Sequence, residues 1–128
     1  MTMMVLAIRL YDVGERDEAV FWFYAAKDRA ITLFDVIDGA AAHLGGVQDA
    51  IGAFVQLAGP AINGYAFCDI ANQQAIRARA LAWLPEHPYG VLTMEKLPAR
   101  PGGRAANLAR SIAGIVDGAA KESAYLAD

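Results

Sequence analysis

Residues 3–26, with the sequence MMVLAIRLYDVGERDEAVFWFYAA, decide the fold class of this chain. Apolar side chains recur at Met3, Leu6, Ala7 and Leu10, which is the spacing of one face of an α-helix. Gly14 then interrupts the pattern, and glycine commonly ends a helix in a left-handed turn. A second apolar face follows at Ala19, Val20, Trp22, Phe23, Ala26 and Ile31. We therefore predict two helices joined at Gly14, with an inner face made of Leu6, Ala7, Leu10, Ala19 and Phe23.

The small and large residues of this hairpin resemble those of a tetratricopeptide repeat unit. Leu6-Ala7 with Leu10 match the first helix of that family, and Ala19 with Phe23 match the second. The chain departs from the family where Met3 replaces Trp and Leu10 replaces Tyr, and it contains one copy of the pattern. Because such repeats need about three copies to bury a continuous core, the resemblance implies a single packing unit inside a helical bundle.

The rest of the chain continues the helical pattern. We predict a helix at 47–58 that Pro60 ends or kinks, with residues 61–67 as its possible continuation. Asp69 is a predicted N-cap for a helix at 70–84, and residues 85–103 form a proline-rich connection or contain a short strand at 91–94. A last helix begins near Arg104, and its tail at 123–128 is expected to fray. The prediction is a single all-α domain, residues 1–128, folded as a compact bundle of five or six helices.

Two glycines interrupt the last predicted helix four residues apart, at Gly114 and Gly118. Each costs about 1 kcal/mol relative to alanine in a helix interior. We therefore expect another helix to approach the backbone closely at this point.

Composition bounds the class of partner. The net charge of −3 argues against nucleic acid, and no apolar stretch is long enough to span a membrane. The hydrophobic fraction of 56% is high, which favours a protein partner or a homodimer. No Lys or Arg lies between Arg29 and Arg77, so that stretch is either buried or part of an interface.

No set of residues predicts catalysis. A zinc site needs several clustered ligands, but the chain offers only His43, His87 and Cys68, far apart in sequence. The same three residues carry no local signature of a nucleophilic enzyme. We expect no metal, no cofactor and no enzymatic activity.

The acids around the Gly14 turn are the leading candidate site. We predict that they form one exposed partner-binding face together with an aromatic ring, the residues being Asp12, Glu15, Asp17, Glu18 and Tyr24. The run DEAVFWFY at Asp17–Tyr24 also resembles one in small uncharacterised bacterial proteins, and no particular activity follows from that resemblance. The predicted function is a protein-binding module, of the kind of a bacterial immunity or adaptor protein that occludes a basic partner such as a toxin or effector.

Two alternatives stay open. One is a small-ligand-binding protein or enzyme with a pocket formed by Asn63, Tyr65, Arg100 and Arg104. The other is a self-associating structural subunit. Convergence of Asn63 and Tyr65 with an arginine on a closed cavity would favour the first over the binding module.

The expected compartment is the cytoplasm. A single cysteine, Cys68, suits a reducing environment, and the apolar start of the chain contains Arg9 and lacks a signal-peptide cleavage pattern. A signal removed upstream would instead place the chain in the periplasm.

Overall fold

The computed structural model describes residues 2–127, which form five α-helices, one 3₁₀ turn and no β-strand. The helices are α1 (Thr2–Asp12), α2 (Arg16–Val36), α3 (Gly45–Ala66), α4 (Ile70–Glu86) and α5 (Arg104–Ala127), and the 3₁₀ turn is Gly90–Thr93. The predicted all-α fold class is confirmed, with five helices rather than six. No helix within residues 2–127 has the length and apolar character that crossing a membrane requires.

The helical hairpin forms around Gly14 as the sequence predicts. Gly14 has a φ of +90°, a conformation that side-chain-bearing residues rarely adopt. The amide of Glu15 donates to the carbonyl of Leu10 at 2.9 Å, which closes the turn and starts α2 back along α1.

The predicted inner face of the hairpin is confirmed on α2, but on α1 a different stripe of residues is buried. Ala19 and Phe23 are fully buried, whereas Leu6 is 37% exposed and Met4 takes its place in the core. The physical reason is that α1 is apolar at nearly every position, so two stripes compete for the same contact. The stripe that packs contains Met4, Ala7, Ile8 and Tyr11.

Helix α2 is the centre of the bundle, because α1, α3, α4 and α5 all pack against it. The principal core joins the first four helices through buried residues that include Met4, Val20, Phe23, Ile62, Ile76 and Ala80. A second cluster, formed by Leu33, Val36, Ile37 and Leu92, fixes the connection 87–103 to the end of α2.

Two prolines lie inside helices, at positions where the sequence predicts that the helix ends or bends. α3 runs through Pro60 to Ala66, and α4 includes Pro85. Pro60 and Gln56, whose carbonyl loses its helical donor, are both exposed. Water can therefore hydrate that carbonyl, which lowers the cost of the proline.

The connection between α4 and α5 contains a 3₁₀ turn where a strand at 91–94 was the alternative. An antiparallel bridge between Ile37, directly after α2, and Ala99 also holds this connection in place. Asp69 caps α4 as predicted, accepting from the amide of Asn72 at 3.1 Å. α5 continues to Ala127 and so includes most of the tail that was expected to fray, and Asp128 lies outside the described residues.

Helices α3 and α5 both run antiparallel to α2. On α3, Tyr65 contacts Asp17 near the start of α2, and Gln48 lies beside Phe34 near its end. On α5, Ser111 contacts Asp35 near the end of α2. The two helices therefore flank α2 along its second half.

Candidate docking groove

A strip along the second half of α2 stays uncovered between α3 and α5. It consists of Lys27, Ile31 and Asp35, whose spacing of four residues puts them on one helix face. Ile31 is 45% exposed, although its neighbours Asp28 and Thr32 are buried. The strip is therefore the floor of a groove between two helices, which we call the docking groove.

The α3 side of the docking groove is apolar. It encloses about 380 Å³, and its walls include Ile31, Phe34, Ile51 and Val55. These side chains are spaced along two antiparallel helices, so they offer a row of shallow apolar contacts. Such a row is the usual receptor for the apolar face of another helix.

The α5 side of the docking groove carries charged groups among its apolar ones, and we call it the polar half for those groups. It encloses about 380 Å³ and is lined by charged groups that include Asp28, Arg77, Arg110 and Glu122. Ile31 and Asp35 line both sides, so the two cavities are halves of one groove. The hydroxyl of Ser111 donates to Asp35 Oδ2 at 2.7 Å, which fixes the carboxylate at the junction.

A buried ion pair lies at the base of the polar half. Arg77 donates from Nη1 and Nη2 to the two carboxylate oxygens of Asp28, at 2.6 and 3.2 Å. Burial raises the pKa of the Asp28 carboxyl, and the hydrogen bonds and charge of Arg77 oppose that rise without cancelling it. Perturbed charged groups in a cleft are candidates for a functional role.

Tyr24 lies beneath this ion pair and not at the surface. It is 7% exposed, and Gln73 donates from Nε2 to its hydroxyl at 2.9 Å. Burial raises the pKa of Tyr24. The prediction that Tyr24 belongs to an exposed partner-binding face is therefore wrong. The reason is that Gln73 on α4 gives the buried hydroxyl a donor, so the whole ring can enter the core.

The glycines of α5 have no intramolecular explanation. A Cβ built on Gly114 or Gly118 meets no atom within 4 Å, and the same is true of Gly52 on the opposite wall. Within residues 2–127 no helix approaches Gly114 and Gly118 closely as expected, and both line the open groove instead. The missing side chains widen the groove.

Two charges at opposite ends of the polar half form no ion pair within residues 2–127. Arg110 donates to the amide oxygen of Asn107, and Glu122 is near Tyr24. Neither takes part in the ion pairs found in this range, which join Asp28 to Arg77, Glu18 to Arg79 and Asp117 to Lys121. Twelve residues of helix separate Arg110 and Glu122 by about 18 Å.

The acids around the Gly14 turn divide into two groups. Asp12 and Glu15 are exposed. Asp17 accepts from the hydroxyl of Tyr65 at 2.7 Å and from Asn72 Nδ2 at 2.9 Å, and Asp17 raises the pKa of Tyr65. Glu18 pairs with Arg79 at 3.4 Å. Asp17 thus joins the start of α2 to the end of α3 and the start of α4.

The alternative pocket does not form. Tyr65 contacts Asp17, whereas Arg100 donates from Nε to the carbonyl of Phe34 at 2.6 Å. Seventeen residues of α2 separate these two contacts, a distance of about 25 Å. Arg104 donates to the carbonyls of Leu92 and Leu97, so both arginines hold the proline-rich connection in place. Asn63 lies on the Tyr65 side, within the same helix α3, and the predicted convergence with Arg100 and Arg104 is wrong.

The sequence interpretation missed the docking groove itself. The one signal for it was the absence of Lys and Arg between Arg29 and Arg77, where burial or an interface was expected. Burial does not account for that stretch, because Ile31, Val47 and Leu57 are all exposed. Within residues 2–127, no three or more His, Cys, Asp or Glu side chains are placed to hold a metal ion.

No protein-family model matches the chain, and no solved structure matches it. The chain is similar to an uncharacterised protein of Haemophilus influenzae strain Rd, with 43% identity over 100 residues. The aligned region covers 78% of this chain and 38% of that protein. The chain therefore has a bacterial relative, and it spans well under half of that relative's length.

Proposed function

We propose that this chain is a protein-binding module whose docking groove accepts a helix of a partner protein. One observation carries the proposal: α2 is packed against four helices, yet its Ile31 face is left open between α3 and α5. An apolar floor between two helical walls is the receptor geometry of helix-in-groove recognition. The proposal makes the chain a binding protein and not an enzyme.

The width of the groove supports a helix as the occupant. Helices pack with their axes about 8–10 Å apart, and small residues permit the closest approach. Gly52 stands on one wall, and Gly114 with Gly118 stands on the other, all facing open space. A docked helix would use the room that these glycines leave. Close approach of a partner would therefore explain why α3 and α5 contain glycines, although glycine destabilises a helix interior.

The charges of the groove indicate which pattern of charges a partner helix would need. Its apolar stripe would lie on Ile31, Ile51 and Val55, and its polar side would face α5. An acidic side chain at one end would pair with Arg110, and a basic side chain about 18 Å away would pair with Glu122. The partner is then an amphipathic helix of mixed charge, rather than a uniformly basic surface bound by Asp12 and Glu15.

Docking a helix in this way acts by occlusion, since the bound helix is withheld from any other contact. That is how a small bacterial immunity or adaptor protein would work, and we propose this role for the groove. The tetratricopeptide-like pairing of α1 and α2 enters the proposal only as the scaffold that holds α2. The exposed free thiol of Cys68 suits a reducing compartment, so we propose the cytoplasm.

The test compares two substitutions at sites of equal exposure. Ile31 on the groove floor is 45% exposed, and Val116 on α5, outside the groove lining, is 46% exposed. We expect Ile31→Glu to lose a partner that the unsubstituted chain captures from native lysate, and Val116→Glu to retain it. With the purified partner, Ile31→Glu should weaken binding by roughly a hundredfold, since a charge would be buried against apolar side chains.

Retained binding by Ile31→Glu would refute the groove as the binding surface. Equal losses of binding in both variants would point to a general effect of added charge, and would also refute the groove as the binding surface. Light scattering of the purified chain tests self-association: a dimer that Ile31→Glu dissociates would replace the partner helix with a second copy.

A further inference from the structure

The outer face of α5 is exposed and apolar. Its residues are spaced alternately by three and four positions, which is the heptad spacing of a helix that packs on another helix. We call this face the α5 seam; its exposed members are Ala106, Ala109, Ala113, Val116, Ala120 and Ala127, and Ser123 completes the repeat. The residues that α5 buries, among them Asn107, Ser111 and Ile115, lie on the opposite side of the helix.

The composition of the α5 seam differs from that of an ordinary solvated helix face. Such a face carries charged or polar side chains, whereas the exposed members of the seam are alanines and one valine. Val116 lies near the centre of the seam and is 46% exposed. Because small side chains permit two helix axes to approach to about 8 Å, the seam fits a second helix packed at close range.

Two opposite charges flank one edge of the α5 seam. Arg110 and Asp117 are both exposed and stand seven residues apart, so they lie on the same edge. Arg110 donates to the amide oxygen of Asn107 and forms no ion pair within residues 2–127. Asp117 pairs with Lys121 at 3.0 Å on the open surface, where such a pair contributes little. Both charges can therefore contact another molecule.

The helix that complements these charges is a second copy of α5 running in the opposite direction. In an antiparallel pair, Ala113 of one copy packs on Val116 of the other, and Ala109 packs on Ala120. Arg110 then faces Asp117 of the second copy between these two layers, and two-fold symmetry repeats the contact. In a parallel pair, Arg110 would face an alanine instead, and no charge would be paired.

We propose that the chain forms a two-fold symmetric dimer in which the α5 seams of two copies pack antiparallel. The seam residues do not line the docking groove, so this surface is separate from the one in the proposed function. Arg110 borders both surfaces, and its five N–H donors can serve Asp117 of the second copy and an acidic side chain in the groove. The dimer carries two docking grooves, which lets it bind a partner with two copies of the docking helix more tightly than a single chain could.

The first test is sedimentation equilibrium of the purified chain. We expect monomer and dimer in exchange, with a micromolar dissociation constant, because a single pair of alanine-rich helices makes a small interface. Val116→Glu should weaken dimerisation by at least roughly tenfold, since its carboxylate would be buried against Ala113 of the second copy. Ile31→Glu is the matched control of equal exposure and equal charge change, and it should dimerise normally. Loss of the dimer in Val116→Glu and loss of the partner helix in Ile31→Glu are independent results, so either proposal can fail alone.

The second test exchanges the charges at the edge of the seam. Arg110→Glu places two acids opposite each other at each contact, and Asp117→Arg places two arginines there, so each variant alone should dimerise more weakly than the unsubstituted chain. Mixed together, the two variants should form a heterodimer, because every contact then joins an acid to an arginine. Both positions are exposed, and circular dichroism checks that the variants keep their helices.

Three results would overturn the proposal. They are a chain that stays monomeric at millimolar concentration, a dimer that Val116→Glu leaves intact, and charge-exchanged variants that do not pair with each other when mixed.

Discussion

Arg77 forms a two-pronged ion pair with Asp28 at the base of the docking groove, at 2.6 and 3.2 Å, yet burial still raises the pKa of Asp28. The loss of hydration therefore outweighs the attraction between the two side chains. A buried pair of this kind contributes little to stability relative to apolar residues of the same volume. Under the proposed function, a docked helix would meet this pair as fixed, pre-oriented charges at the base of the groove.

Substitution of Arg77 measures how much stability is lost when the buried Asp28 carboxylate has no partner. We expect Arg77→Met to lower the free energy of unfolding by about 3 kcal/mol at pH 7, because Asp28 is left charged and unpaired. The loss should shrink toward pH 4, where Asp28 takes up a proton. Urea unfolding at both pH values measures it.

The control is Arg79→Met on the same helix. Arg79 pairs with Glu18 at 3.4 Å, with both side chains about half exposed, so its loss should cost less than about 1 kcal/mol at either pH. Similar losses in the two variants would contradict the buried-pair argument.

Removing the anion has a different effect. Because the pKa of Asp28 is raised on folding, the folded chain binds the proton more tightly than the unfolded chain does. The stability that this group contributes is therefore greatest below its unfolded pKa of about 3.9 and falls as the pH rises through the folded pKa. Asparagine imitates the protonated acid at every pH.

We therefore expect Asp28→Asn to cost less stability at pH 7 than Arg77→Met does, because the asparagine oxygen can still accept from Arg77 and the raised pKa of Asp28 means that burial disfavours the charged carboxylate. Relative to the unsubstituted chain, the Asp28→Asn variant should gain stability as the pH rises from 4 to 7. Urea unfolding across that interval checks the sign. A trend in the opposite direction would mean that Arg77 lowers the pKa of Asp28 overall.

Two substitutions of Tyr24 separate the contribution of ring packing to stability from that of the hydroxyl's hydrogen bond. Tyr24→Phe keeps the ring but leaves Gln73 Nε2, in a side chain that is 1% exposed, without its acceptor, so we expect a loss of about 1–2 kcal/mol. Tyr24→Ala also empties the ring's volume and should cost about 4 kcal/mol. Tyr125→Phe, at 81% exposure, should change nothing measurable in the same urea unfolding experiment. If Tyr24→Phe behaved like Tyr125→Phe, the buried hydrogen bond would be energetically irrelevant.

Local features of the fold were predictable because local chemistry determines them. Gly14 turns the chain through its own backbone freedom, and the Asp69 carboxylate caps a helix three residues away. The periodicity of α2 identified Ala19 and Phe23 as core. The register of α1 was not predictable from periodicity, since Met4 and Leu6 both belong to apolar stripes.

The site could not be predicted in the same way, because it depends on contacts between distant parts of the chain. Tyr24 is buried through Gln73, and Asp28 through Arg77, each 49 residues away. Nothing near Tyr24 in the sequence indicates a buried hydroxyl. The docking groove arises from the arrangement of three helices, and each of its residues looks ordinary within its own helix.

The glycines of α5 give the sharpest test of the groove, because alanine at these positions should raise the stability of the chain and weaken its binding to the partner. A Cβ at Gly114 or Gly118 meets nothing within 4 Å, so alanine at either position should fit without strain. We expect each substitution to raise the free energy of unfolding by about 0.5–1 kcal/mol through helix propensity. The added methyl groups narrow the groove, so Gly114→Ala/Gly118→Ala should bind the partner helix roughly tenfold more weakly.

Gly64→Ala is the matched control, because Gly64 lies in α3 outside the groove and also faces open space. It should leave partner binding unchanged. Gly14→Ala should instead destabilise the chain by about 1 kcal/mol, since alanine resists a φ of +90°. Thermal unfolding and titration of the purified partner measure the two quantities separately. If the double variant were stabilised and still bound the partner at full strength, the α5 wall would not contact the bound helix, and the groove would have to be reassigned to its α3 side.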